Sequence, residues 1–434
     1  MISAFTILFA VALLSLVFHR SLLLKPLSLV AIALSFFFTL EGATVALMGF
    51  SSSEHIQLFE LILEIVLFAL VLHEEEDITI TQTLFLGASS VLLLQADKLL
   101  SFIISFESLS IISVVLVSYI KTKEQAEGAV KMFIAGSLAT GILLLGLAFY
   151  VMGGGLLLEP LATGGSLFMD IGSFIMLAGL FYKLTIVPFH GWAVDSYALV
   201  RHSHAAILSG VAKTVAALAI FTIFAPFLAT HLELSVPLLA TLAVVTMTLG
   251  NFLALFSKNI ARILSYSSIA HAGYMLLAFV AVKSSYADEG ILYMAIAYIF
   301  MQSGAFLALD SMKKHYGIST LEELQGFSTQ NPILAFFFTL QLFSLAGIPL
   351  LAGFLAKAVV FYAGVDAGLW WLVLIALLNS ALSVGYYAWI VKSMYFDKLT
   401  AKEVFHAPVQ FATASQVILA VGTLYFGIFA GSVF

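Results

Sequence analysis

Apolar runs long enough to cross a bilayer follow one another along almost the whole chain, separated by short polar connections. A spanning helix needs about 20 predominantly apolar residues. The runs fall at approximately 2–18, 22–40, 56–72, 78–96, 98–118, 127–151, 168–189, 203–229, 236–256, 261–282, 289–310, 331–363, 368–395 and 409–433. This pattern predicts an all-α polytopic membrane protein with about fourteen transmembrane helices. The first run has no basic flank or small-residue cleavage site and is followed at once by another, so it reads as a helix rather than a signal peptide. The longest polar connection, Lys313 to Gln330, has room for a short surface helix.

Composition agrees. Of 434 residues, 62% are hydrophobic and 10% charged, against roughly 25% charged in soluble domains. No sizeable soluble domain fits between the runs. Lysine and arginine set the orientation, because loops rich in them stay cytoplasmic. Loops after odd-numbered spans hold Arg20, Lys25, Lys121, Lys123, Arg201, Lys258, Arg262, Lys313, Lys314, Lys392, Lys398 and Lys402; loops after even-numbered spans hold Lys98 and Lys283. The odd loops are therefore expected in the cytoplasm and both termini outside. A miscount by one span would scramble the asymmetry. The net charge of −6 draws on the loop His73-Glu74-Glu75-Glu76-Asp77, which reads as a solvated loop or as a docking point for a neighbour. Cysteine is absent, which removes thiolate metal sites and iron–sulfur ligation. No dinucleotide, P-loop or zinc-protease motif is present, and no nucleic-acid partner is expected.

Four lysines lie inside apolar runs: Lys131, Lys183, Lys213 and Lys357, and Glu107 is similarly placed. A charge at the bilayer centre costs at least about 2.5 kcal/mol, so such groups point to an ion path. Lys183 lies about a turn before Pro188, and Lys357 follows the break Gly347-Ile348-Pro349. Proline removes a backbone donor and interrupts a helix, which lipid tolerates only where protein or water covers the backbone. A broken helix beside a charged group is the arrangement of transporter ion sites. Lys213 sits too deep to reach the headgroups. Lys131 admits two readings, a station on the path or a surface partner of Glu127 at i,i+4, with Glu124 nearby. An isolated carboxylate or ammonium in low dielectric tends to lose its charge, whereas near one another the two keep it. Opening and closing such a pair makes a proton carrier without a metal. Glu60 and Glu64 share one helix face and read as a further site or as partners of a neighbouring subunit. His271, beside Ser265, Ser267, Ser268 and Tyr274, suits a relay, since imidazole changes charge near neutrality; the serines serve water or packing. His190 follows the first break. His202 and His204 have metal-like spacing, but no acidic or cysteine residue lies near them in sequence.

The seventh and twelfth spans, both interrupted, are five apart. Spans 4–8 and 9–13 therefore read as two five-helix copies, inverted because the number per copy is odd. The expected organisation is 1–76 as a three-helix segment, 77–229 and 230–396 as the repeats, and 397–434 as a C-terminal helix.

The segments FYKLTIVPFHGWAVDSY, NIARILSYSSIAHAGYMLLAF, YIFMQSGAFLALDSM and FSLAGIPLLAGFLAK resemble the antiporter-like membrane subunits of respiratory complex I, the N type in particular. The likeness runs from about Thr79 to Met394. Fourteen spans and a chain ending soon after the last suit the N type, whereas the L type carries a long lateral helix. The resemblance implies that Glu107 is the fifth-span glutamate that pairs with a lysine, and Lys183 and Lys357 the lysines of the two broken helices. It makes Lys213 a bridging lysine and Lys131 the sixth-span lysine of N-type subunits, with His190 and His271 on the polar axis. Lysine at 357, where M-type subunits are expected to have glutamate, favours the N type. The Val194-Asp195-Ser196 stretch departs from the family, which has a proline before the aspartate. The implied function is a proton-translocating subunit of a bacterial NADH:quinone oxidoreductase in the cytoplasmic membrane. NADH, FMN, iron–sulfur clusters and quinone would reside in partner subunits, with K-type and M-type neighbours. The alternatives are a subunit of an Mrp-type cation/proton antiporter or ion-pumping hydrogenase, or a membrane-arm scaffold.

Overall fold

Peptide groups in hydrocarbon must find their hydrogen bonds within the protein, and a helix supplies them within one segment. The computed structural model describes residues 3–17, 23–42, 50–51, 53–118, 122–398 and 410–429. Arg20, Lys121, Lys402 and the side chain of Glu124 lie outside the described residues. Among those described there are helices and two isolated bridges, Phe50 with Ala96 and Asn259 with Thr320, but no strand.

The helices are α1 (Ala4–Val17), α2 (Leu24–Leu40), α3 (Glu54–His73), α4 (Asp77–Gln95), α5 (Leu99–Val117), α6 (Lys123–Met152), α7 (Leu167–Leu184), α8 (Gly191–Leu199) and α9 (His202–Ala205). A π-helical stretch, Ala206–Ala212, leads into α10 (Lys213–Thr230). Then follow α11 (Leu232–Leu255), α12 (Ile260–Val280), α13 (Ala287–Tyr316), α14 (Phe327–Gln330), α15 (Pro332–Ala346), α16 (Ala352–Asp366), α17 (Trp370–Tyr395) and α18 (Gln410–Ile428). Among the described residues, ten helical stretches are long and apolar enough to cross a membrane, the run His202–Thr230 being one. Four shorter apolar helices accompany them, at Ala4–Leu16, Leu24–Leu40, Pro332–Ala346 and Ala414–Ile428.

The chain divides into two compact units, Met1–Trp192 with Ala212–Ser235, and Ala193–Val211 with Val236–Phe434. In the first unit α1 to α5 pack in succession, α10 lies against α4, α5 and α7, and α6 lies along α7. The last pair approaches closely because small residues line it. A Cβ on Gly172 would meet Tyr150 N at 2.4 Å and Gly146 O at 2.6 Å. The rest of α6 turns Phe133, Ile134 and Leu138 outward. Lys25 Nζ donates to Leu72 O and Glu74 O, tying the start of α2 to the end of α3. In the second unit α13 is the core: α9, α12, α15, α16 and α18 all pack on it.

Both proline-associated interruptions are present and end in the same way. α7 ends at Thr185 (φ 61°), where Ile186 N bonds back to Phe181 O. α15 ends at Gly347 (φ 90°), where Ile348 N bonds back to Phe343 O. A left-handed residue with a bond reaching back five positions is a Schellman terminus. The sequence reading placed the chain after His190 beyond the seventh span; it forms the short helix α8 instead.

The connection from Lys313 to Gln330 holds α14 and a capping box. Glu323 Oε2 accepts from Ser319 N at 2.7 Å and Thr320 N at 2.9 Å, and Thr320 Oγ1 accepts from Glu323 N. Slight burial pushes the Glu323 carboxyl up, but these bonds outweigh it and hold it below its ordinary value.

Two outcomes follow from this packing. Gly172→Leu should force α6 off α7 and destabilise the first unit by about 1–3 kcal/mol, read as earlier thermal loss of the detergent-solubilised protein. Because the Glu323 carboxyl sits lower in the folded protein than in the unfolded chain, its support is present above the ordinary 4.5 and lost as pH falls through the lower folded value. Amide exchange at Ser319 and Thr320, compared between wild type and Glu323→Gln, should lose its difference at acid pH.

Candidate functional site

An ammonium taken out of water needs oxygen atoms around it. Lys183, Lys213 and Lys357 are 3%, 0% and 4% exposed, and each finds its oxygens beside an interrupted helix.

In the first unit Lys183 lies in the last turn of α7, where the helix dipole favours a cation. Its Nζ donates to Ser113 Oγ on α5 at 2.8 Å. It lines a cavity of about 430 Å³ together with Glu107, Ser110, Thr140 and Tyr182. Glu107 accepts from Thr140 Oγ1 on α6, 3.1 Å to each oxygen. The expected direct Glu107–Lys183 pair is therefore not formed in this conformation; the two groups share a cavity and hold different hydroxyls. A route between them runs through space wide enough for water, with Ser110 and Thr140 on its walls.

Lys213 starts α10, directly after the π-helical stretch, and its Nζ donates to Thr185 Oγ1 at 2.7 Å. Thr185 has a left-handed φ, which a β-branched residue enters at a cost of about 1–3 kcal/mol. Glycine would relieve that strain but lacks the hydroxyl that Lys213 uses. The residue that ends the broken helix is thus also the bridge to the next lysine. His190 is half-buried on the linker between α7 and α8. Of the two readings of Lys131, the structure shows the i,i+4 pairing: its side chain is 42% exposed rather than buried, and it pairs with Glu127 at 2.6 Å.

In the second unit Lys357 Nζ donates to Leu345 O at 2.9 Å and Ala346 O at 3.0 Å, the last carbonyls of α15, and to Ser380 Oγ at 3.1 Å. It also lies 5.2 Å from the centre of the Tyr274 ring. A Cβ at Gly347 would come within 3.3 Å of this ammonium, a tight approach that adds to the demand its φ makes for glycine. His271 is fully buried, its Nδ1 at 2.9 Å from Ser267 O and its ring against Tyr298 and Tyr274. The serines beside it divide: Ser265 bonds back to Ala261 O, Ser267 reaches Tyr387 and Ser268 reaches Ser209.

Several participants escaped the sequence reading. Asn251 Nδ2 donates to Tyr274 OH and Asn379 O, and its Oδ1 accepts from Tyr386 OH. Asparagines in mid-span are expensive in lipid, and that signal was available in the sequence. His202 and His204 do gain an acid at their helix start, since Ser203 N donates to Asp310 Oδ1 across 107 positions of sequence. Among the described residues no three His, Asp or Glu side chains are grouped to hold a metal. Glu60 and Glu64, read as a further site or as partners of a neighbouring subunit, are bonded within the chain, to Gln95 and to Ser35 and Thr39.

Interrupted helices that present hydroxyls and carbonyls to buried ammonium groups define an antiporter-like, ion-handling membrane subunit. The chain belongs to the NADH:quinone oxidoreductase/Mrp antiporter transmembrane family, whose sequence profile matches residues 96–383. It is 34% identical over 374 residues to F(420)H(2) dehydrogenase subunit N of Methanosarcina mazei, covering 82% of this chain and 75% of that one. To NADH-quinone oxidoreductase subunit N 1 of Chloroherpeton thalassium it is 35% identical over 358 residues, covering 80% and 74%. The fold superposes on a chain of respiratory complex I from Thermus thermophilus with a TM-score of 0.83, at 26% identity over 99% of this chain and 97% of that one.

Thr185→Val should keep the volume but remove the Lys213 acceptor, costing about 1–3 kcal/mol. Thr185→Ser should retain most of the wild-type thermal stability. Equal stability of the two variants would remove the bridging role.

Proposed function

We propose that this chain is a proton-translocating membrane subunit of a prokaryotic NADH:quinone oxidoreductase-type complex. The observation that carries the reading is the set of three buried lysines beside helix breaks, Lys183 in the last turn of α7 and bonded to a hydroxyl of α5, Lys213 bonded to the residue that ends α7, and Lys357 bonded to the last carbonyls of α15. Proton transfer needs groups that exchange partners, and ammonium groups on hydroxyls and helix-end carbonyls can do so. Glu107 and Lys183, sharing a cavity without an ion pair, form the first step. A charge change in a neighbouring subunit draws them together or apart, Lys183 passes its proton on toward Lys213 by way of the break at Thr185, and Lys357 serves the second unit. His190 and His271 assist as relays. Lys131, on its exposed ion pair, acts at most as a peripheral charge.

The redox chemistry belongs to partner subunits holding NADH, FMN, iron–sulfur clusters and quinone, with K-type and M-type subunits as neighbours in the membrane arm. The F(420)H(2) relative leaves room for a different electron donor. We read the interrupted helices α7–α8 and α15–α16 as single spans, giving fourteen crossings, two inverted five-helix repeats and both termini outside the cytoplasmic face.

The second reading is a cation/proton antiporter subunit with no redox partner, favoured by the family's inclusion of Mrp antiporters. Sodium-dependent proton exchange by the purified assembly without an electron donor would select it.

Lys183→Met and Lys357→Met should each lower proton pumping coupled to quinone reduction at least about tenfold, the effect of 1.4 kcal/mol on a limiting transfer. Pumping is read as acidification in inverted vesicles, with assembly verified by co-purification. Full pumping in both variants removes the lysines from the path.

A further inference from the structure

The lysine stations leave two acids unused. Gln57, Glu60 and Glu64 recur at spacings of three and four on α3, so they lie on one helix face, and the N-cap residue Ser53 stands four positions before Gln57. Exposure falls along that stripe: Ser53 is exposed, Gln57 half-buried, Glu60 2% and Glu64 1% exposed. At a rise of 1.5 Å per residue, Glu60 lies about 9 Å and Glu64 about 15 Å from the start of α3, the latter halfway along it. The facing surfaces continue the polar track. Gln57 Nε2 donates to Thr39 O at 2.6 Å, Thr39 Oγ1 donates to Glu64 Oε1 at 3.1 Å, and Ser35 Oγ donates to the same oxygen. Gln95 Nε2 donates to Glu60 Oε2 at 3.0 Å. The second oxygen of each acid, Glu60 Oε1 and Glu64 Oε2, is buried with no hydrogen-bond partner.

Among the described residues no cation offsets the pair. Among the described elements, α2 and α4 pack chiefly on α3. Their ionisable groups stand at their ends: Lys25 and Glu41 for α2, Asp77 for α4 with Asp97 and Lys98 just beyond it; α3 itself adds Glu54, His55 and His73 at its ends. Lys25 is engaged with Leu72 O and Glu74 O, about 12 Å along the helix from Glu64. Two carboxylates one turn apart repel, and burying bare anions in an apolar bundle costs far more than burying neutral acids.

We propose that Glu60 and Glu64 form an exchangeable proton-binding site, separate from the lysine stations, reached from the start of α3 along Ser53 and Gln57. The bare oxygens carry the protons; the hydroxyls and the Gln95 amide hold the other oxygens in place. Protons load at the exposed end and reach Glu64 at mid-bundle. The site does not rest on redox-driven pumping.

The test is infrared difference spectroscopy of the intact assembly in proteoliposomes, exchanged between H2O and D2O. The wild type should show a protonated-carboxyl carbonyl band that shifts in D2O. The band should shrink in Glu60→Gln and in Glu64→Gln and vanish from the difference spectrum in the double variant. Gln57→Leu should slow the shift. Should the glutamine variants fail to assemble, Glu64→Asp keeps a carboxyl and should move the band. Lys183→Met should leave it unchanged, so the two readings fail separately. A band that survives the double substitution, that is missing from the wild type at neutral pH, that stays put in Glu64→Asp, or that exchanges as fast in Gln57→Leu as in wild type overturns the proposal.

Discussion

Ammonium groups in an apolar bundle must be given oxygens, and here interrupted helices help to give them. A continuous helix bonds its carbonyls to its own amides; a helix that stops inside the bundle leaves its last carbonyls unpaired and its dipole uncompensated. Lys357 takes up that role for α15, with Leu345 O and Ala346 O as direct acceptors. Lys183 lies in the last turn of α7, and Lys213 bonds the hydroxyl of the residue that ends that helix. Break and lysine thus stabilise each other: without the cation the terminus would be unsatisfied, and without the terminus the cation would be stranded.

The same need explains backbone choices that look costly in isolation. Thr185 occupies a left-handed conformation that glycine would enter freely, and it keeps the hydroxyl that Lys213 requires. At Gly347 the order is reversed: the cation bonds the backbone itself, so no side-chain oxygen is needed and a Cβ would crowd Lys357. Two termini of one type therefore carry different residues, according to whether the lysine bonds a side chain or the main chain.

The acids follow a different rule. Glu107 shares a cavity with the cation of Lys183. Glu60 and Glu64 have hydroxyl and amide donors but no cation, so neutrality there comes from protons. The distinction lies in the partners that neighbouring helices present, since all three glutamates look alike as isolated acids in apolar runs.

Much was legible in the sequence. Run length gave the helices, prolines beside lysines located both interruptions, and Lys183, Lys213 and Lys357 stood out because charge is rare in lipid. These are local properties, dictated by what a peptide group and an ammonium require of hydrocarbon. What the sequence could not supply is which oxygens each charge meets. Ser113 lies 70 positions from Lys183, Ser380 lies 23 from Lys357, and Asp310 lies 107 from Ser203. Helix packing also decided that Lys131 faces outward to Glu127, that Glu107 and Lys183 hold separate hydroxyls, and that Glu60 and Glu64 turn inward to Ser35, Thr39 and Gln95. Helical periodicity fixes which residues share a face, but a face acquires its chemistry only from the helix set against it.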